Sequence, residues 1–232
     1  MLITNKNNIK PMSIGINGTL LESCDQYKYL GVVVDKNLSW KPHVDYICKK
    51  ISKACGSMAN LRYSMNTKLL VEVYHSLIHS YLRYGIIVWG NASNLTLQPL
   101  KSLVNRAVRI ITFAPLGRVD LEPIYSYLKV LDVEKVSLLE TAKYMFKLKN
   151  DLVPVDIGNH FELCNIVPTH NYNLRNRRTT PQIVTRLESS EKSIQLRGEK
   201  IWQELPESLK SSASLNKFKR LMKSKLLESY VE

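Results

Sequence analysis

A chain of 232 residues with 44% apolar content has material for one large domain or two small ones, and its 23% charged residues are ordinary for a globular protein. The sign of the charge is not ordinary. The 33 Lys and Arg against 20 Asp and Glu leave +13, a surplus that suits a polyanionic partner, although a basic protein with no nucleic-acid role shares that composition.

The first 40 residues read as strands. Met1 to Thr4 is short and apolar, and Asn5 to Asn8 is turn-prone. Ser13 to Leu21 carries Asn17-Gly18 between two apolar stretches, the strongest short hairpin signal because both residues tolerate positive φ. Tyr27 to Val34 follows as a β-branched run with Gly31 inside it. After Trp40 the period changes. Pro42 suits a first helical turn, and Val44, Ile47, Ile51, Ala54, Met58 and Leu61 recur at helical steps. A second helix is predicted from Thr67 to about Trp89, weakened by Gly85. Others are predicted over Leu97 to Phe113, Leu121 to Leu128 and Val133 to Lys149.

From Pro154 to Ser193 the pattern fades into an extended arm, and Thr169 to Arg186 holds four arginines and no acid. Helices over Leu196 to Leu205 and Ser214 to Tyr230 close the chain. Strands followed by helices imply an α+β chain, predominantly α: a short N-terminal β-hairpin with strands, a helical bundle, and a basic C-terminal tail. An isolated hairpin is marginal in water, so the strands are expected to pair with a larger sheet or a partner.

The longest apolar runs, Leu30 to Val34 and Ile86 to Trp89, fall far short of the roughly 20 residues that cross a bilayer, so no membrane is expected. The N-terminus lacks the layout of a secretory signal. Cys24, Cys48, Cys55 and Cys164 show no short paired spacing. Together these predict an intracellular chain, in nucleus or cytoplasm, and not a secreted one.

The candidate binding residues are basic. Lys101, Arg106 and Arg109 lie on one predicted helix, with Arg106 and Arg109 three apart on a shared face. Lys49, Lys50 and Lys53 project opposite much of the first helix's apolar stripe. Tyr172, Arg175, Arg177 and Arg178 mix an aromatic ring with guanidinium groups, a combination that suits stacking and phosphate contact. Each has a blander reading as a solvated face or basic linker. Lys217, Lys219, Arg220, Lys223 and Lys225 form either a further phosphate surface or an ordinary amphipathic helix. His160, Cys164 and His170 are too few and too loosely spaced for a structural zinc site. His75 and His79 lack the Glu of an H-E-x-x-H motif. Trp40, Trp89 and Trp202 read as packing anchors.

The string Tyr27-Lys28-Tyr29-Leu30-Gly31-Val32, with Asp35 and Leu38-Ser39-Trp40-Lys41-Pro42-His43, resembles the segment after the catalytic palm motifs of jockey-like, LINE-type non-LTR retrotransposon reverse transcriptases. LIHSYLRYGIIVWG (77–90), LKSLVNRAVRII (100–111), NYNLRNRR (171–178), IWQELPESLK (201–210) and FKRLMK (218–223) follow in the family's order. The resemblance implies last palm strands and a primer-grip-like hairpin over 1–40, a helical thumb-like domain over 41–152, a basic irregular connector over 153–195 and C-terminal helices over 196–232. It assigns the primer grip to Tyr29, Leu30 and Gly31. The implied partners are RNA, DNA or an RNA–DNA hybrid, read by shape and backbone, and the upstream palm region of such an enzyme.

The departures bear on chemistry. The family's palm holds two metal ions on one early aspartate and a later aspartate pair. This sequence has no adjacent aspartates, and a lone Asp35 does not organise two metals. The full-length family enzyme, an RNA-directed DNA polymerase, would use Mg2+. This chain alone is expected to need no cofactor and to be inactive, its inherited role being primer–template binding. The alternative is a non-enzymatic relic or a co-opted helical protein-interaction module.

Overall fold

The computed structural model describes residues 1, 3, 14–115, 117, 120–158 and 193–230. They fall into two compact units, Met1–Val133 and Glu134–Glu232, and the architecture is α+β with helix predominant. No helix among the described residues is long and apolar enough to cross a membrane.

Two antiparallel hairpins open the first unit. Strands β1 (Ile14–Ile16) and β2 (Thr19–Leu21) pair Ile16 with Thr19. Asn17 and Gly18, at φ 51° and 79°, form the turn between them, as the Asn-Gly signal predicts. Strands β3 (Gln26–Tyr29) and β4 (Val32–Asp35) pair Tyr29 with Val32. The residue pattern alone reads Tyr27 to Val34 as one run, whereas the resemblance places a hairpin at the Leu-Gly pair, and the structure has that hairpin. Leu30 and Gly31 take φ 45° and 83°, so the chain reverses there and Gly31 sits in the turn. The β-branched valines dominated the pattern and masked a two-residue turn whose first position is a Leu, a residue that rarely adopts positive φ.

Helix α1 (Lys41–Leu61) starts from a left-handed Trp40 with Pro42 in its first turn. Its entry is held by Asp35, whose Oδ2 accepts from the Ser39 amide at 3.0 Å and whose Oδ1 accepts from the Trp40 amide at 3.0 Å. Burial pushes the Asp35 carboxyl up, but the backbone amides outweigh it and hold the group below its ordinary value. The apolar stripe of α1 (Val44, Ile47, Ile51, Met58) is buried. It packs most heavily against α5 (Asn94–Thr112), which buries Leu100, Val104, Val108 and Ile111. Each such side chain contributes about 1.5–3 kcal/mol by leaving water. Helix α5 begins three residues before the predicted Leu97, because Ser93 accepts from the Thr96 amide and caps it. Pro99 has no N–H for the Leu95 carbonyl, and it is tolerated near the start of the helix, where Leu95 lies at the surface.

The predicted Thr67-to-Trp89 helix is interrupted. Helix α2 (Thr67–Tyr74), capped by Asn66 on the Leu69 amide, passes into a π-helical turn (His75–His79), then α3 (Ser80–Arg83). Gly85 at φ 63° breaks the run before α4 (Ile86–Trp89). Helix α6 (Glu122–Leu128) completes the first unit and adds Tyr125, whose hydroxyl donates to Asn105 Oδ1 at 2.7 Å.

The second unit is built on α7 (Val133–Lys149), together with α8 (Ile194–Glu204), α9 (Glu207–Lys210) and α10 (Leu215–Glu228). Phe146 stacks on Phe218 at 4.7 Å between centroids, and Trp202 meets both rings. Arg197 donates to Ser137 Oγ at 2.9 Å. A Cβ at Gly198 would lie 2.5 Å from Met145 Sδ, so this position permits the close approach of α8 to α7.

Candidate nucleic-acid interface

The break at Gly85 organises the hairpin tip. With the helix ended, Tyr84 takes an extended backbone, and its hydroxyl donates to the Leu30 carbonyl. A Cβ at Gly31 would lie 3.3 Å from Tyr84 Cε1, and one at Gly85 would lie 3.3 Å from Val32 Cγ2. Two left-handed glycines therefore let the turn and the broken helix meet backbone to side chain. Trp89 is fully buried and donates from Nε1 to the Tyr84 carbonyl at 2.9 Å, which fixes the break.

His43 ties the other side of the hairpin to α1. Its Nδ1 accepts from the Val33 amide at 3.2 Å, and its ring meets Trp89 edge-on at 5.5 Å. Burial lowers its pKa, so the ring is neutral near pH 7 and carries its proton on Nε2. A pocket of about 290 Å³ lies beneath the turn, lined by Gly31, His43, Tyr46, Ser80, Tyr81 and Tyr84.

This arrangement leaves Tyr29 and Leu30 at the surface, 63% and 72% exposed, at the tip of a turn anchored from below. Lys28 extends over the Tyr46 ring at 4.7 Å, and Lys50 approaches the same ring at 5.8 Å. Tyr46 thus gathers one cation from β3 and one from α1. Lys49 and Lys53 are exposed further along α1, as are the small residues Ser52, Gly56 and Ser57. Small exposed side chains allow a backbone to approach a helix closely, and the lysines supply charge. The exposed Asp45 is the acid at the start of this face.

The basic residues of α5 do not form a single row. Arg106 is exposed, and its charge reaches Cys55 on α1. Arg109 is half-buried and donates from Nη2 to the Gly117 carbonyl at 3.2 Å. Lys101 approaches Asn94 Oδ1 at 3.4 Å. Lys28 of the hairpin and Lys50 of α1 are therefore gathered at one ring, while the α5 cations point to different neighbours. On α10, Phe218, Met222 and Leu226 are buried while Lys217, Lys219, Arg220 and Lys225 are exposed. Tyr172, Arg175, Arg177 and Arg178 lie outside the described residues, as do His160, Cys164 and His170.

Sequence reasoning missed Lys28, Tyr46 and Tyr84. The Tyr46/Lys50 pair has helical i,i+4 spacing and was open to detection. Lys28 and Tyr84 join the site only through tertiary contact. The two-metal chemistry of a complete polymerase does not fit these residues. Both Asp35 oxygens accept backbone amides, and among the described residues no group of three metal-ligating side chains gathers.

No protein-family model matches the chain, and no solved structure matches it significantly. Curated relatives do. The chain is 33% identical over 109 residues to a probable RNA-directed DNA polymerase from transposon BS of Drosophila melanogaster, a match that covers 44% of this chain and 12% of that protein. It is 27% identical over 140 residues to the RNA-directed DNA polymerase from mobile element jockey of the same species, covering 59% and 14%. A retrovirus-related Pol polyprotein from the type-1 retrotransposable element R1 of Bradysia coprophila is 24% identical over 111 residues, covering 47% and 11%. The chain thus spans less than one-sixth of the length of these relatives. Over about half of its own length it is related to the RNA-directed DNA polymerases of jockey-type non-LTR retrotransposons, as its motifs implied.

Proposed function

We propose that this chain grips a primer–template duplex, with an RNA–DNA hybrid as the favoured ligand, and does not itself catalyse polymerisation. The observation that carries the reading is the exposed Leu30–Gly31 turn, anchored by Tyr84 and His43 and continued by exposed lysines along α1. Tyr29, Leu30 and Gly31 meet the primer end through shape and backbone contact. Lys28, Lys49, Lys50 and Lys53 neutralise phosphates along the duplex. Helix α1 has 21 residues, so it is on the order of 30 Å long, enough to follow a duplex over several base-pair steps. Arg106 adds charge from α5. Mg2+ chemistry belongs to a palm carrying the paired aspartates, which this chain takes as a partner.

The test is fluorescence anisotropy with a labelled RNA–DNA hybrid across a salt series. The expected result is an affinity that falls linearly in log–log form, with a slope reporting several phosphate contacts. A folded sample that fails to bind at low salt rejects the proposal.

A second reading rests on the apolar side chains of the hairpins. Ile14, Leu20, Leu21 and Tyr27 are all more than half exposed, which suits a further sheet or a protein partner. As a helical interaction module, the chain self-associates or captures a sheet edge. Size-exclusion chromatography separates the readings: a monodisperse monomer counts against this one.

A further inference from the structure

At the far end of α1 from the hairpin lies a second cluster outside the surface just described. Arg62 caps α1, and its guanidinium carbon lies 3.8 Å from the Phe113 ring centroid and 5.3 Å from that of Tyr63. The Tyr63 and Phe113 rings meet edge to face at 6.0 Å and 74°. Neither ring is part of the core: Tyr63 is 80% exposed and Phe113 is 52% exposed. Phe113 caps α5 in the left-handed region at φ 57°, where Gly is the usual choice and a bulky side chain is strained. Such strain concentrates at binding and catalytic sites.

The electrostatics point to an anion. Among the described residues Arg62 has no carboxylate partner. Its Nε is buried without a hydrogen-bond partner. A guanidinium held by an aromatic face, beside a second exposed ring, offers stacking and charge together. A duplex hides its base faces, so a stacking platform selects unpaired nucleotides.

We infer that Tyr63, Phe113 and Arg62 form a site for an unpaired nucleobase of single-stranded nucleic acid, with the base on the exposed Tyr63 ring and the adjoining phosphate near Arg62. This rests on the duplex-gripping reading and extends it. A hybrid seated from the hairpin tip along α1 brings its distal end to this platform, where a single-stranded overhang is captured.

The experiment compares two hybrids of about ten base pairs, one blunt and one with a short overhang carrying 2-aminopurine, against the wild type, Tyr63→Ala, Tyr63→Trp and Arg62→Lys. The wild type is expected to bind the overhang substrate about ten-fold more tightly than the blunt one and to quench the 2-aminopurine, in the range of one stacked base. Tyr63→Ala should abolish the advantage and the quenching while leaving blunt-hybrid affinity unchanged. Tyr63→Trp should preserve both, and Arg62→Lys should reduce the advantage several-fold. Blunt binding without an overhang advantage overturns the platform alone, as does an advantage that survives Tyr63→Ala. Loss of binding to both substrates by the folded wild type overturns the duplex reading as well.

Discussion

Tyr84 donates its hydroxyl to the carbonyl of Leu30, 54 residues away in the chain. That bond joins the tip of the β3–β4 turn to the break between α3 and α4. It gives the hairpin an anchor that two strands of four residues do not supply by themselves.

Removing that donor tests the anchor. Tyr84→Phe should cost about 0.5–1 kcal/mol, the lower part of the range for one hydrogen bond because the contact is near solvent. The loss should be local, seen as faster hydrogen exchange of the β3 and β4 amides with little change in α1 and α5. Gly31→Ala should do more, because it adds a strained left-handed residue to a 3.3 Å approach on Tyr84. Unchanged exchange in both variants would falsify the anchoring role.

The hairpin should also loosen in acid. Burial lowers the His43 pKa below its ordinary 6.5, so the unfolded chain binds a proton more readily than the folded one. Stability from this group is complete above about pH 6.5 and falls as the pH drops toward the lowered folded value. Protonation also removes the Nδ1 acceptor used by the Val33 amide. Amide exchange at Val33 should therefore accelerate, beyond its intrinsic pH dependence, on going from pH 7.5 to pH 5.5. His43→Asn should flatten that trend. An equal trend in wild type and variant would place the pH sensitivity elsewhere.

Tyr74 sets up an unusual stability test. It is fully buried and its hydroxyl has no partner among the described residues. Burial, with smaller contributions from Tyr125, Asp132 and Cys55, pushes its pKa well above the ordinary value. A buried hydroxyl without a partner costs free energy, so Tyr74→Phe should be neutral or stabilise by up to about 1 kcal/mol. Thermal or urea melts decide it: a clear loss of stability means that a bound water satisfies the hydroxyl.

The thiols should divide by burial. Cys24 is exposed, whereas Cys48 is half-buried and Cys55 is buried. Burial, aided by the charge of Asp45, pushes the Cys48 thiol up to about 11. Burial raises Cys55 too, only partly opposed by Arg106. Because the thiolate is the nucleophile, alkylation at pH 7.5 followed by peptide mass spectrometry should label Cys24 well before Cys48 or Cys55. Comparable labelling of Cys48 in the folded chain contradicts this environment.

What the sequence revealed follows from how local each cause is. The periodicity of Val44, Ile47, Ile51 and Met58 is one helical face, and α1 appears where that face places it. Asn17-Gly18 carries its own turn chemistry and the first hairpin follows. The second hairpin was legible through the family resemblance and not through local propensity: Leu30 is a poor turn residue, and the turn is held by contacts with Tyr84 and His43. The helix break at Gly85 was legible only as a weak point, because a Gly lowers helix stability without fixing where a run ends. Its physical reason is the approach of Val32, which comes from a distant part of the chain. Lys28, Tyr46 and Tyr84 complete the candidate site through such contacts, so single-chain spacing brought out the lysines but not the ring that collects them.

Those lysines provide the most direct test of the proposed surface. On duplex DNA each neutralised phosphate contributes about 0.9 to the slope of log affinity against log salt. Replacing Lys49, Lys50 and Lys53 together with Ala should therefore reduce the slope for the RNA–DNA hybrid by roughly 2–3 if all three reach phosphates. The fold should survive, since Lys49, Lys50 and Lys53 are exposed and α1 is stabilised by its buried stripe. Arg106→Ala should take away up to about one further contact, whereas Arg109, already engaged with the Gly117 carbonyl, should matter less. An unchanged slope in the triple variant, with binding intact, assigns the phosphate contacts to another face. If single Ala variants change the slope at Lys50 and not at Lys49 or Lys53, the track narrows to the face of α1 that carries Tyr46.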